Sequence, residues 1–287
     1  MNRTAIVLLA AAALLSACGK KEDHSVHGGV QSAAPAGHGD HGSGSSDAGS
    51  SSAALSSSDV KALWKTGSEK TPKAKQDVRL SVEIQDTAGK PLQNFDINHE
   101  KKLHLIAVSK DLSYFSHLHP EYKGNGQFDV TTQFPAGGEY KLFADFIPTG
   151  GSAMTKSEWI KVDGDAAKQI PVQPDSQLTK SVDGKEVTLA TGKLQASKEA
   201  TLTFTVKDDK TKAPINNLEQ YLGAVGHVVI LTEDAEQYLH VHPMEEKATG
   251  PDAKFMTTFP KSGVYKIWAQ FQHNGKVFTV PYVVKVP

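Results

Sequence analysis

The sequence contains two copies of one unit, and this duplication limits the possible folds more than any other feature. "FPAGGEYKLFADF" (134–146) and "FPKSGVYKIWAQF" (259–271) are identical at seven of thirteen positions. Further upstream, "LSVEIQD" (80–86) parallels "LTFTVKD" (202–208). A match over this length and spacing indicates that the chain contains two domains with the same fold.

Both copies consist of short runs rich in β-branched and aromatic residues, such as "VRLSVEI", "LHLIAVS" and "EYKLFADF" in the first copy and "EATLTFTV", "GHVVIL" and "VYKIWAQF" in the second. Turn sequences such as "DTAGKP", "KGNG" and "AGG" separate the runs, and sustained helical periodicity is absent. We therefore predict an all-β protein with two tandem immunoglobulin-like antiparallel β-sandwich domains. The predicted boundaries are 59–163 for the first domain, 164–180 for a linker and 181–287 for the second domain.

The first eighteen residues, "MNRTAIVLLAAAALLSAC", resemble the signal peptide and lipobox of bacterial lipoproteins. The apolar run Ala5–Leu15 is shorter than the about 20 residues that a membrane-spanning helix needs, and Arg3 before it is typical of a secretory signal. The resemblance implies a signal peptide at 1–17 and a lipidated Cys18 that anchors the protein to the cell membrane or outer membrane on its extracytoplasmic side. An ordinary signal peptide that contains a cysteine is the alternative.

Cys18 is the only cysteine of the chain. This excludes an intramolecular disulfide and a thiolate metal site in the folded part. Residues 18–58 are dominated by Gly, Ser and Ala and contain too little apolar surface to fold, so we predict a disordered tether with a reach of roughly 35 Å.

Four histidines in this predicted tether are weak candidates for metal ligands, because His-rich tracts often bind metal. They are His24, His27, His38 and His41. The segment "GHGDHG" is similar in style to the His-rich segments of periplasmic copper-resistance proteins. The alternative is that these histidines are incidental in a low-complexity linker.

His-X-His-Pro occurs once in each copy, at 117–120 and 240–243, and another histidine lies thirteen residues upstream each time. Two side chains at i and i+2 of a strand share one face, with Cα atoms about 7 Å apart. The turn-like "KDLS" and "EDAE" permit a hairpin that brings the upstream histidine beside the pair, and the proline is expected to end the strand close to solvent. We predict one three-histidine metal site in each domain. The ligands are His104, His117 and His119 in the first domain and His227, His240 and His242 in the second.

Three neutral imidazoles suit Cu(II) or Zn(II) when no thiolate is available, so either ion is the expected cofactor. His99 and His273 lie in loop-like sequence and could add ligands. The alternative is that all these histidines are structural and satisfy backbone carbonyls at strand ends. A duplication copies structural features as readily as functional ones.

The enzyme motifs for which we searched do not fit. "HEKKLH" (99–104) places its histidines five residues apart, whereas the zinc-protease motif needs them four apart on a helix. The chain has no nucleophile elbow, phosphate loop or dinucleotide fingerprint. The net charge of -1 argues against nucleic-acid binding. We expect a protein that is not an enzyme.

The segments "LHLIAVSKDLSYFSHLHPE" and "YLGAVGHVVILTEDAEQYLHVHP", each followed by the Phe-Pro repeat, resemble the YtkA-like immunoglobulin-type domains of secreted bacterial proteins. The resemblance covers about residues 77–163 and 200–287, and it implies a β-sandwich with an extracytoplasmic location. Together these features predict a membrane-anchored lipoprotein that binds a transition metal, with copper as the first choice. A structural or interaction module that contacts an unknown envelope partner is the alternative from a different class.

Overall fold

The computed structural model describes residues 55–67, 71–239 and 241–287. These residues form two β-sandwiches in sequence order, joined by the strand-free segment 163–178. None of the described residues belongs to a helix with the length and hydrophobicity needed to cross a bilayer. Several residues that the sequence singles out lie outside the described residues: Cys18, His24, His27, His38, His41 and His240.

The first sandwich follows a single 3₁₀ turn, Ser57–Asp59. Its strands are β1 (Val60–Thr66), β2 (Asp77–Asp86), β3 (Phe95–Asp96), β4 (Leu103–Ser109), β5 (Phe115–Leu118), β6 (Glu121–Gly124), β7 (Gln127–Gln133), β8 (Gly138–Pro148) and β9 (Met154–Val162). One sheet has the order β1-β2-β7-β6, and the other has the order β3-β8-β4-β5 with β9 also paired to β8. All these pairings are antiparallel.

The second sandwich repeats this arrangement. Its strands are β10 (Thr179–Val182), β11 (Lys185–Ala190), β12 (Glu199–Asp208), β13 (His227–Thr232), β14 (Tyr238–Leu239), β15 (His242–Pro243), β16 (Asp252–Thr258), β17 (Gly263–His273) and β18 (Lys276–Val286). The sheets have the orders β10-β11-β12-β16-β15 and β14-β13-β17-β18. The structure therefore confirms the predicted fold class of two tandem immunoglobulin-like β-sandwiches. The short strands β1, β3, β6, β10 and β15 have no counterpart among the predicted runs.

Each sandwich has its own apolar core between its two sheets. Along β2, alternate side chains point inward, and the same alternation occurs in β12. Strands β4 and β13 differ, because almost every residue in them is buried. A strand that is buried on both sides needs cover on its outer face as well. In this protein each sandwich provides that cover for the other.

The outer faces of β4, β5 and β8 pack against the outer faces of β13 and β17. A third apolar cluster fills this interface and contains Ile106, Val108, Leu112, Phe143, Val229, Leu231, Ala235 and Trp268. Phe115 stacks on Trp268 with ring centroids 4.8 Å apart, and Phe143 packs on Tyr238 at 5.8 Å. The repeat alignment makes Phe115 equivalent to Tyr238 and Phe143 equivalent to Trp268. The two contacts are thus copies of one another, as in the isologous interface of a two-fold dimer.

The Phe-Pro repeat forms the same corner in both domains. The Tyr140 hydroxyl donates a hydrogen bond to the Ala136 carbonyl at 2.9 Å, and the Tyr265 hydroxyl donates to the Lys261 carbonyl at 2.7 Å. Both rings are buried. The motif is therefore a strand–turn–strand corner with a core tyrosine in both domains.

Replacing either corner tyrosine by phenylalanine removes a hydroxyl and leaves its carbonyl acceptor inside the corner. We expect Tyr140→Phe and Tyr265→Phe each to lower the free energy of unfolding by about 0.5–1.5 kcal/mol. Chemical denaturation measures this change. Tyr114→Phe is the matched control, because its hydroxyl lies 3.5 Å from the Gln133 carbonyl, at the limit of hydrogen bonding. A loss as large in Tyr114→Phe as in the corner variants would contradict the role assigned to the corner.

A candidate metal centre between the two sandwiches

The hairpin predicted from the thirteen-residue spacing is formed by β4 and β5. These strands pair antiparallel, with Leu105 opposite Leu118 and Ile106 opposite His117. Residues of one parity therefore point outward from the sheet, and they place the three first-domain histidines at one end of the interface. The candidate ligand nitrogens of His104, His117 and His119 all lie within 4.8 Å of one another.

In two of these rings, one nitrogen lies within hydrogen-bond distance of an oxygen acceptor, so that nitrogen carries the N–H hydrogen. His104 Nε2 lies 2.9 Å from the Asn98 carbonyl, and His117 Nδ1 lies 2.7 Å from Gln270 Oε1. Gln270 Nε2 donates to Thr279 Oγ1 at 3.1 Å, and Oε1 of the same amide faces His117. A neutral imidazole has one N–H, so each ring donates that N–H outward and keeps a lone pair on its other nitrogen.

The two lone-pair nitrogens, His104 Nδ1 and His117 Nε2, face each other at 3.0 Å. A hydrogen bond between them requires one additional proton. A divalent cation satisfies both lone pairs at once, and a tetrahedral site with metal–nitrogen bonds of about 2.0–2.1 Å places its nitrogens about 3.3 Å apart. A histidine whose other nitrogen donates to a carbonyl or amide oxygen is the usual arrangement around protein-bound metals.

Burial opposes the additional proton. Loss of solvent is the main cause that lowers the pKa of His104 to about 4 and that of His117 to about 3, and neighbouring imidazoles contribute to both shifts. Burial also lowers the pKa of His119 to about 4, with the nearby Lys101 as the second cause. These three rings are therefore neutral at physiological pH, which is the form that binds metal.

The second domain adds His227 to this cluster. Its ring stacks on His104 with centroids 5.4 Å apart and lies 4.6 Å from the ring of His117. His227 is buried, and burial is the main cause that lowers its pKa well below the ordinary value. His104 and His227 occupy equivalent positions in the two copies of the repeat, and their rings contact each other across the interface between the domains.

His99 lies against the cluster from a tight turn of the first domain. Its ring centroid is 5.4 Å from that of His227 and 6.3 Å from that of His104. His99 and Glu100 have φ of 46° and 63°, in the left-handed region that a two-residue turn between Asn98 and Lys101 requires.

Two buried nitrogens of the cluster have no hydrogen-bond partner: His119 Nε2 and His227 Nε2. Buried polar atoms without a partner are uncommon in proteins. These two histidines border the rings of His104 and His117, whose lone-pair nitrogens face each other. A cation that binds imidazole nitrogens fits this arrangement. The residues present therefore fit an imidazole-binding cation, and the donor set contains no carboxylate or thiolate from the described residues.

The predicted second-domain site stays a prediction, because its ligand His240 lies outside the described residues. Among the described residues, the first-domain triplet is the only group of three or more metal-capable side chains. The His227 ring contacts two members of this triplet, whereas His242 is exposed on β15, in the other sheet of the second sandwich, opposite Met256. The His-Pro strand end of the first domain is half-buried, and the second sandwich contacts it through the hydrogen bond between His117 and Gln270.

Sequence reasoning missed the contribution of Gln270. One signal could have revealed it: Gln270 and its equivalent Asp145 are polar residues within otherwise apolar strands. Both are buried and lie opposite the equivalent histidines, with Asp145 paired to His104 and Gln270 paired to His227. His273 lies at the end of β17 and contacts Asn217 Oδ1 at 3.2 Å, outside the cluster.

The fold and the cluster define a class of tandem immunoglobulin-like proteins with histidines at the interface between the domains. The chain belongs to the family described as "Domain of unknown function (DUF8832)", whose model matches residues 59–164 and again residues 180–287. No curated protein matches the chain at a significant level of sequence similarity.

Solved structures with some similarity include three bacterial proteins. The Escherichia coli adhesin FdeC is 17% identical, with a TM-score of 0.29, over 82% of this chain and 66% of that one. InvD of Yersinia pseudotuberculosis is 13% identical, with a TM-score of 0.27, over 81% of this chain and 58% of that one. The bacterial integrin-binding protein invasin is 13% identical, with a TM-score of 0.23, over 78% and 39%. The chain thus spans less than two thirds of the length of each.

The neutral, buried histidines make the stability of the ion-free protein depend on pH. Below pH 6.5 the unfolded chain takes up protons that the folded chain does not bind until about pH 4 or lower. The free energy of unfolding should therefore fall between pH 6.5 and 4, by up to about 1.4 kcal/mol per pH unit for each such histidine. We expect His104→Gln to make this slope shallower in urea denaturation with a chelator present. A slope unchanged by His104→Gln, or reduced equally by the control His273→Gln, would contradict this prediction.

Proposed function

We propose that the protein is a non-enzymatic, extracytoplasmic module of the cell envelope that binds a transition-metal ion between its two immunoglobulin-like domains. The single observation that carries the metal assignment is the pair of lone-pair nitrogens, His104 Nδ1 and His117 Nε2, facing each other at 3.0 Å. The unpartnered His119 Nε2 beside them supplies a third nitrogen.

The ligand chemistry selects the class of ion. An all-imidazole donor set favours Cu(II) or Zn(II) over magnesium and calcium, which prefer oxygen ligands. Copper is our first choice because it forms the most stable complexes with nitrogen ligands among the divalent first-row metals. The role would be to bind, deliver or sequester the ion, and the tail histidines would capture ions before they reach the folded domains.

A second candidate is an envelope interaction module in which the histidines are purely structural. One observation favours it: the histidine rings pack against one another at an interface that is otherwise apolar, as the aromatic pairs beside them do. In this case the tandem sandwiches would present their surfaces to a partner in the envelope.

Metal titration separates the two candidates. We expect the chain with its four tail histidines changed to Gln to bind one Cu(II) or Zn(II) with a dissociation constant below about 10 μM. The double change His117→Gln and His119→Gln should weaken this binding at least about 100-fold, because two ligand nitrogens are lost. His273→Gln is the matched control and should bind as tightly as the parent chain.

Calorimetric titration with measured metal content gives both the affinity and the stoichiometry. If the parent chain binds no ion, the histidines are structural and the interaction module is favoured. If the double variant binds as tightly as its parent, the ion is held elsewhere and the assigned site is wrong.

The proposed location follows from the N-terminal sequence, which resembles a lipoprotein signal. We expect Cys18→Ser to abolish incorporation of labelled palmitate and to release the protein from the membrane fraction, because the acyl chains supply the anchor. Membrane fractionation measures the change, and Ser16→Thr is a control that keeps the cysteine. Retention of the Cys18→Ser variant in the membrane fraction would contradict lipid anchoring.

A further inference from the structure

We propose that the metal centre is shared between the two domains: His227 supplies a fourth nitrogen ligand, and Gln270 orients His117 for binding. An ion at this centre then ties the second sandwich to the first. This inference rests on the proposed metal-binding function and extends it, because the prediction from sequence assigned His227 to a separate site in its own domain.

The position of His227 is the first support. Its ring lies within 5.4 Å, centroid to centroid, of both His104 and His117, so it borders the two facing nitrogens. Its Nε2 atom is buried and has no hydrogen-bond partner. A buried histidine with a purely structural role is expected to use its ring nitrogens in hydrogen bonds.

A break in the internal symmetry is the second support. His104 and His227 are equivalent, and each lies just after an equivalent two-residue turn, between Asn98 and Lys101 in one domain and between Tyr221 and Ala224 in the other. In the first domain the Asn98 carbonyl accepts the His104 Nε2 hydrogen. The corresponding nitrogen of His227 has no such acceptor. His227 therefore lacks the structural hydrogen bond that its equivalent, His104, makes to its own turn.

Gln270 is the third support. It belongs to the second domain, yet it accepts the Nδ1 hydrogen of a first-domain histidine, His117, at 2.7 Å. The other end of its amide is also held, because Nε2 donates to Thr279 Oγ1 at 3.1 Å. This contact directs the Nε2 lone pair of His117 toward His104. Gln270 is thus a positioning residue supplied by one domain for a ligand of the other.

The domains also fit together closely beside the cluster. A β-carbon added to Gly223 would lie 3.4 Å from Cγ of Glu100 across the two equivalent turns. On the far side of the interface, Lys141 Nζ forms an ion pair with Glu236 Oε1 at 2.8 Å. Because contacts flank the cluster on both sides, the ligands of the two domains are already in place before an ion binds.

The test uses the full chain with its four tail histidines changed to Gln, loaded with Cu(II). The spin-resonance spectrum of Cu(II) reports the number of coordinated nitrogens. We expect four nitrogens in the parent and three in His227→Gln, with an affinity at least about tenfold lower. His273→Gln should match the parent in both measurements.

Gln270 is tested by a pair of variants. Gln270→Met removes the acceptor for His117 and should lower the affinity about tenfold or more, as the loss of a group that orients a metal ligand does. Gln270→Glu keeps an oxygen acceptor and should restore binding. Equal weakening by both variants, or by neither, would overturn the positioning role.

Hydrogen exchange tests the coupling of the domains. Cu(II) should slow amide exchange around His227 in β13 as well as around His104 and His117, and His227→Gln should abolish the effect in β13 only. A parent that binds Cu(II) through three nitrogens, with protection confined to the first domain, would overturn the shared centre and leave the proposed function intact. A parent that binds no Cu(II) would overturn both.

Discussion

The packing of one sheet from each sandwich against the other organises the rest of this structure. Alternate side chains on β4, β5 and β8 point out of the first sandwich and meet the outward-pointing side chains of β13 and β17. Most of the interface is apolar, and Trp268, Phe115 and their equivalents fill it. A large apolar side chain contributes about 1.5–3 kcal/mol when it is fully buried, so these few residues are enough to hold two small domains together.

At one end of this interface, the outward-pointing side chains are polar. His104, Asp145, His227 and Gln270 are all buried there. Burial of polar groups is unfavourable unless each finds a partner. His117 and Gln270 satisfy one another, and Thr155 donates to Asp145 at 3.3 Å. The unpartnered nitrogens of His119 and His227 are the exceptions, and both rings contact His104 and His117.

Internal duplication explains why the histidines converge. An isologous interface brings equivalent residues together near its two-fold axis. A histidine at such a position therefore meets its own copy, as His104 meets His227. Later divergence can then give the two copies different roles. Asp145 and Gln270 have already diverged in sequence, and the acceptor present for His104 is missing for His227.

Much of the fold could be predicted from the sequence, because its signals are local. The period of two residues in β2 and β12, the turn sequences and the repeated Phe-Pro corner specify short antiparallel strands and two copies of one sandwich. The spacing of His104, His117 and His119 likewise specified a hairpin, and the structure contains it. These features depend on side-chain direction along a strand and on turn geometry, which neighbouring residues determine.

Only the tertiary structure showed which faces meet. Continuous apolar runs such as those of β4 and β13 are typical of strands that are buried on both faces. They do not indicate that these two strands cover each other. The grouping of His227 with the first triplet and the contact of Gln270 with His117, 153 residues away in sequence, depend on that packing. Such contacts depend on how two complementary surfaces pack, and local sequence patterns do not predict that packing. The sequence by itself determined two similar sandwiches with a histidine hairpin in the first, and the packing of one sandwich on the other brought the histidines of both into one cluster.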